Sequence, residues 1–325
     1  MPKAVDVARL AGTSTAVVSY VFNNGPRPVA AETRRRVLDA AASLGYAPNR
    51  IARSLRTSQT DLVGVLVPDI TAPYFASLGK DLEREIAVLG KLTLIANTET
   101  TQIKEADAIE TFRSTQVDGI ILVWSDNDYR PPAMGSTPVV YLFNAPEGFE
   151  GTMIAADDTS SVFTAVDHLR AHGLAKIVLL AGIEDRGPVG DRVRAWREAI
   201  NDPDAEPLRS AYSNAGAAAL LARLHADSEL PEAIIAATDE QAIGLLAAAY
   251  QLGIRIPDDI AVMSLDGSPA TEYTAPPLTV MHQSTSRMAQ MAVRAMTGSD
   301  HETFVPAELI IRRSCGCSES GGERP

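Results

Sequence analysis

Val5-Asp-Val-Ala-Arg-Leu-Ala-Gly12-Thr-Ser-Thr-Ala-Val-Val-Ser-Tyr-Val-Phe22 decides how the start of this chain folds. Its apolar residues fall into two helical sets, Val7, Ala8 and Ala11, then Val18, Val21 and Phe22, with a break at Gly12-Thr13. Ser14 suits the N-cap of the second helix, because its hydroxyl can accept an orphan backbone N–H. Gly12 suits a tight turn at positive φ. A small Ala8, a turning Gly12 and a packing Val18 are what a helix-turn-helix requires. Thr15, Ala16, Ser19 and Tyr20 then lie on the outer face of the second helix, the face that a DNA reader sets in the major groove. A plain helical hairpin is the alternative on this stretch alone.

Charge separates the two readings. Met1 to Thr60 holds nine basic residues and three acidic ones, a balance of +6. The whole chain carries -12, so the remaining 265 residues carry -18. A basic module joined to an acidic partner domain is the pattern of a nucleic-acid binder. An evenly acidic surface would repel DNA, so docking falls to the N-terminal part.

A third helix is expected over Ala31 to Leu44, with Val37, Leu38, Ala41 and Leu44 inward and Gly45 ending it. Pro48 to Thr57 follows, with Ile51 and Leu55 on one face, too short to be a stable helix alone.

These segments carry a resemblance. Val-Asp-Val-Ala-Arg-Leu-Ala-Gly, Val-Ser-Tyr-Val-Phe-Asn, Glu-Thr-Arg-Arg-Arg-Val, Leu-Gly-Tyr-Ala-Pro-Asn and Ala-Arg-Ser-Leu-Arg together resemble the headpiece of the LacI/GalR (lactose-repressor) family. The resemblance implies a headpiece over 1–46 and a hinge helix over 47–60 that lies in the minor groove beside its symmetry mate. Leu55 is there the wedge between central base pairs, or else a residue packing on the next domain. The implied DNA contacts are Ser14, Thr15, Ala16, Ser19, Tyr20, Asn23, Arg27, Asn49, Ala52, Arg53, Leu55 and Arg56. Tyr20 stands where many members have arginine or histidine, and Ala16 is too short to reach a base, so the preferred half-site should differ from theirs.

Beyond Asp61, strand-like and helix-like segments alternate, which predicts an α/β fold with parallel sheets. Strands are expected at Leu62–Val67, Leu92–Ala96, Gly119–Val123, Val139–Phe143, Met153–Ala155, Ile177–Ala181, Leu208–Tyr212, Ala233–Ala237, Ile260–Leu265 and Leu278–Met281. The helix from Pro73 should bury Phe75, Leu78, Leu82, Ile86 and Leu89. So many strands predict two lobes. Val-Gly-Val-Leu-Val-Pro-Asp-Ile, Asp-Arg-Val-Arg-Ala-Trp-Arg and Ala-Thr-Asp-Glu-Gln-Ala-Ile-Gly resemble the same family's periplasmic-binding-protein-like effector domain. That resemblance implies an effector and dimerisation domain over 61–325. Lobe 1 would cover about 61–156 and 283–305, lobe 2 about 157–282 and 306–318, with crossings near Asp157, His282 and Pro306.

Ligands of such folds bind at the carboxyl ends of strands, between the lobes. Tyr74, Phe75, Trp124, Phe143, Arg192, Tyr212, Thr238, Asp239 and Asp266 fall at or just after such ends. By resemblance, Arg192 grips the effector and Asp266 accepts from its hydroxyls or amines; bracing of loops is the alternative for both. Many sugar-binding members carry aspartate where Phe143 stands, so a more apolar or aromatic ligand, or a larger glycoside, enters consideration.

The chain has ordinary globular composition, 46% hydrophobic and 22% charged. It lacks an N-terminal apolar run and a long apolar stretch, which points to the cytoplasm and away from a membrane. Cys315 and Cys317 read as spare thiols of a solvated tail, since two thiolates cannot complete a zinc site and no histidine is near in sequence. Residues 319–325 read as a disordered tail. No phosphate loop, nucleophile elbow or His-Glu-x-x-His motif is present, so no enzyme and no cofactor is expected. The expected function is a homodimeric repressor of double-stranded operator DNA, switched by a small sugar-like effector, without a C-terminal tetramerising heptad run. A solute-binding protein, or an α/β enzyme with an added helical domain, is the alternative.

Overall fold

The computed structural model describes residues 2–23, 27–47, 54, 59–99, 101–124, 134–149, 151–185, 187–298 and 303–317. Asn49, Ala52, Arg53, Leu55, Arg56 and the expected tail lie outside them, as does the side chain of Asn23. The chain divides into two compact units, 1–60 and 61–325.

The first unit is helical: α1 (Ala4–Leu10), α2 (Thr15–Asn23) and α3 (Ala31–Leu44). Gly12 turns the chain between α1 and α2 at φ 63°, the left-handed conformation that glycine adopts without strain. Ser14 caps α2, its Oγ accepting the Val17 N–H at 3.3 Å. The core joins Val7, Ala8, Ala11, Val18, Val21, Val37, Ala40 and Ala41, with Phe22 and Tyr46 meeting edge to face at 5.8 Å. In α3 the buried set corrects the expected one. Val37, Ala40 and Ala41 face inward, while Leu38 and Leu44 are 42% and 36% exposed. Two alanines let α3 approach its neighbours more closely than leucines would.

In the second unit, the described strands form two six-stranded sheets. The first contains β1 (Leu62–Val67), β2 (Leu92–Asn97), β3 (Gly119–Val123), β4 (Val139–Leu142), β5 (Thr152–Ala156) and β11 (Phe304–Val305), in the order β11-β5-β4-β3-β1-β2, all parallel. The second contains β6 (Ile177–Ala181), β7 (Leu208–Arg209), β8 (Ala233–Ala236), β9 (Ala261–Ser264), β10 (Thr279–Gln283) and β12 (Ala307–Ile310), in the order β12-β10-β9-β8-β6-β7. Only β12, among the described strands, runs antiparallel to its neighbour. Both sheets reverse their winding beside the first strand, between β1 and β3 and between β6 and β8, which opens a crevice at the strand ends.

Helices cover both faces of each sheet. Around the first lie α4 (Pro73–Val88), α5 (Gln102–Thr115) and α10 (Thr285–Met296); around the second lie α6 (Asp158–Ala171), α7 (Pro188–Ile200), α8 (Asn214–Ala226) and α9 (Asp239–Leu252). Strands buried from both sides read as continuous apolar runs, which is why β1, β3 and β6 are so plain in the sequence. Leu78, Leu82 and Ile86 of α4 are fully buried, and each contributes roughly 1.5–3 kcal/mol by leaving water. The stripe of α4 begins at Tyr74 rather than Phe75, and Leu89 is 42% exposed beyond its end. Among the described residues the chain passes between the sheets three times, at 156–158, 283–285 and 305–307.

The cysteines overturn the picture of a solvated tail. Cys315 and Cys317 are buried, 2% and 9% exposed, in the core beneath α6 and α7. His168 and His172, remote in sequence, lie against them.

Candidate functional site

The outer face of α2 is available for contact. Ser14, Thr15 and Ala16 are exposed, and Ser19 and Tyr20 half-buried. Arg27, Arg34, Arg35 and Arg36 are exposed on the same helical unit. Buried Val18 and Val21 fix the rotation of α2 and so decide which side chains face outward.

In the second unit, charge gathers at the carboxyl ends of β6, β8 and β9. Arg192, from the second turn of α7, is 7% exposed. Its Nε donates to Asp158 Oδ1 at 2.8 Å and its Nη1 to the Ala237 carbonyl at 2.8 Å, just past β8. Its Nη2 stands 4.0 Å from Asp266 Oδ1, beyond hydrogen-bond reach. The other Asp266 oxygen accepts the Asp239 N–H at 3.1 Å. The arginine therefore sits at the switch point of the second sheet, between two buried carboxylates.

Burial, then the neighbouring Asp239 carboxylate, pushes Asp266 well above the usual aspartate range, with Arg192 pulling the other way. Asp158 is also raised, by burial first, again opposed by Arg192. One guanidinium thus faces more buried acid than it neutralises, and hydrogen-bond donors are favoured there. Tyr212 spans the edge of this cluster. It is 45% exposed overall, yet its hydroxyl end lies over Gly182, where a Cβ would fall 2.7 Å from the phenol oxygen. Burial of that end raises its pKa, while the charge of Arg192 lowers it.

Across from these strand ends, Tyr74, Phe75 and Phe143 form an aromatic trio. Their rings meet edge to face, with centroids 5.7, 5.9 and 6.3 Å apart. The Tyr74 phenol is held well above its ordinary pKa by burial first and then by the charge of Asp266, so the first lobe's aromatics lie within the field of the second lobe's charges. Phe143, the residue just past β4, adopts φ 68°. An aromatic residue in the left-handed region is strained, and such strain concentrates at functional sites.

The other expected residues are placed differently. Trp124 packs with Tyr141 in the core on the opposite face of the first sheet, apart from the trio. Thr238 caps α9, its Oγ1 accepting the Gln241 N–H at 3.3 Å. Asp239 is fully buried, and its carboxylate accepts from Ser264 Oγ and the N–H groups of Gly267 and Ser268. It braces the loop that carries Asp266 rather than presenting an oxygen of its own.

A family model for bacterial regulatory proteins of the lacI family matches residues 5–49, and one for a periplasmic binding protein-like domain matches residues 166–315. The repressor PurR of Vibrio atlanticus (strain LGP32) is 31% identical over 324 residues, covering 95% of this chain and 97% of that protein. This chain belongs to the LacI family. The ribose operon repressor of Escherichia coli (strain K12) is 29% identical, over 89% of this chain and 90% of its own. The solved Lac repressor dimer, bound to operator and the anti-inducer ONPF, superposes with a TM-score of 0.83 at 22% identity, over 97% and 99% of the two chains. The chain is a LacI-family transcriptional regulator with a helix-turn-helix and a two-lobed α/β domain. No described helix is long and apolar enough to cross a membrane.

Two members of the charge cluster escaped the sequence. Asp158 partners Arg192, and Gln283 donates to Asp158 at 3.3 Å from the end of β10. Asp158 follows the crossing at Asp157, so its position was legible in principle. Nothing in spacing joins it to Arg192, 34 residues away.

Proposed function

We propose that this regulator is a homodimeric repressor that binds a pseudo-palindromic double-stranded operator and is switched by a sugar-like effector between its lobes. The observation that carries this reading is the buried Arg192 between Asp158 and Asp266 at the strand ends, facing an aromatic trio. A ligand hydroxyl in the 4.0 Å gap between Arg192 Nη2 and Asp266 Oδ1 accepts from the guanidinium and donates to the carboxylate. Tyr74, Phe75 and Phe143 supply an apolar wall against the carbon face of a sugar ring, and Tyr212 borders the opening. The relative named for a ribose operon supports a sugar; the aromatic trio favours a ligand with one apolar side. Trp124, Thr238 and Asp239 act in this account as support.

In the headpiece, 1–46, Ser14, Thr15, Ala16, Ser19, Tyr20, Asn23 and Arg27 meet the major groove. Asn49, Ala52, Arg53, Leu55 and Arg56 of the hinge, 47–60, meet the minor groove. The domain over 61–325 binds the effector and holds the dimer, its lobes covering 61–156 with 283–305 and 157–282 with 306–318. The place of action is the cytoplasm, on DNA. Selection from a random duplex library, followed by titration at two salt concentrations, tests the DNA half. Specific binding that weakens steeply with salt is expected; a flat response, or equal binding to every sequence, refutes it.

A further inference from the structure

We propose that His168, His172, Cys315 and Cys317 form a structural zinc site, a closed Cys2His2 centre that fastens the segment after β12 to α6. The four ligating atoms lie within 4.8 Å of one another. His168 Nε2 is 3.3 Å from Cys315 Sγ and 3.9 Å from Cys317 Sγ, and His172 Nε2 is 3.2 Å from Cys317 Sγ. Bond lengths of about 2.3 Å to sulfur and about 2.0–2.1 Å to nitrogen give tetrahedral S···N edges of roughly 3.5 Å. The observed separations straddle that value.

The backbone explains the convergence. His168 and His172 are one helical turn apart in sequence, on the same side of α6, with His172 at its C-cap. Their rings meet edge to face, with centroids 5.0 Å apart. The one-residue spacing of Cys315 and Cys317 falls in the turns after β12, beside the start of β10. Two of the four donors are buried and two half-buried, which leaves a route for an ion to enter.

Charge favours a divalent ion. Two thiolates and two neutral imidazoles around Zn2+ make a neutral assembly, which suits a buried place where an unpaired charge does not. Sulfur and imidazole donors with no carboxylate select zinc over magnesium or calcium. A supporting shell is also built. Thr279 Oγ1 donates to Cys315 Sγ at 3.1 Å, while the same oxygen accepts the Arg312 N–H at 2.9 Å. That second bond aims the hydroxyl proton at the sulfur, the outer-shell arrangement that orients a ligand. Four protein ligands leave no open position, so the site is structural.

The test uses the full-length protein, reduced, stripped of metal with a chelator and desalted. Co2+ and Zn2+ are the probes. One equivalent of Co2+ per chain should give the absorption bands of tetrahedral thiolate-bound cobalt, displaced by one equivalent of Zn2+, and Zn2+ should raise Tm. Cys317→Ser and His172→Ala should each weaken zinc binding by ~100-fold or more, beyond the loss from an outer-shell change. His172 is half-buried, so His172→Ala tests ligation even if a cysteine variant misfolds. Absence of the cobalt bands while both thiols titrate as free, a Cys315–Cys317 disulfide that persists in reductant, or zinc affinity unchanged in both variants would overturn the proposal.

Discussion

Arg192 Nε donates to Asp158 Oδ1 at 2.8 Å, with both side chains less than a tenth exposed. The bond joins α7 to the first turn of α6, the element entered as the chain crosses from the first sheet to the second. The residue proposed to grip the effector is thus tied to the crossing between lobes, where closure would be felt. Arg192→Ala leaves Asp158 and Asp266 buried without their cation and should lower unfolding stability by about 3–5 kcal/mol. Urea denaturation monitored by circular dichroism measures this. Loss of effector binding without loss of stability would mean that Arg192 serves the ligand alone.

The buried acids predict an unusual pH response. Asp158 and Asp266 both have folded pKa values raised chiefly by burial. A raised acid binds its proton more tightly in the folded state. Its contribution to stability is therefore full below the unfolded value of about 3.9 and is lost as pH rises through the folded value. Asp266→Asn carries no such titration. As pH rises from about 4, the unfolded value, toward neutrality, the Tm of the native protein should fall relative to that of Asp266→Asn. Parallel Tm curves would show that Asp266 does not titrate in that window.

Much of this framework can be read from the chain, because doubly covered parallel strands must be apolar throughout. β1, β3 and β6 have the ends that their apolar runs imply. Features set by tertiary contact are harder to read. β11 and β12 are short, and β12 exists through its pairing with β10. α8 begins at Asn214, capped by Ser213, six residues before the leucines that mark it, because Ala-Gly-Ala-Ala-Ala shows little hydrophobic period. The expected strand at Leu208–Tyr212 contracts to Leu208–Arg209, and Tyr212 turns over Gly182. Cys317 and His168 are 149 residues apart, and only the fold brings them together.

Ser14 tests the helix-turn-helix at one hydrogen bond. Ser14→Ala removes the acceptor for the Val17 N–H and should cost α2 about 1 kcal/mol. Amide hydrogen exchange over residues 15–23 should then quicken by roughly fivefold, while 61–325 keeps its protection. Unchanged exchange would mean that the cap is dispensable.

Leu55 tests the hinge. Leu55→Ala should weaken operator binding at least ~10-fold, the cost of losing an apolar wedge that holds a bent duplex. Effector affinity, measured by calorimetry, should stay the same. Equal operator affinity would remove the wedge from the account.

The most direct measurement is operator affinity by fluorescence anisotropy, at fixed salt, with and without a saturating sugar found by thermal shift. A change of about 5–150-fold is expected, the usual range of coupling between distinct sites, and Asp266→Asn should abolish it while the headpiece still binds DNA. Identical operator affinity in the two states, with calorimetry showing the sugar fully bound, would contradict the coupling of the two units.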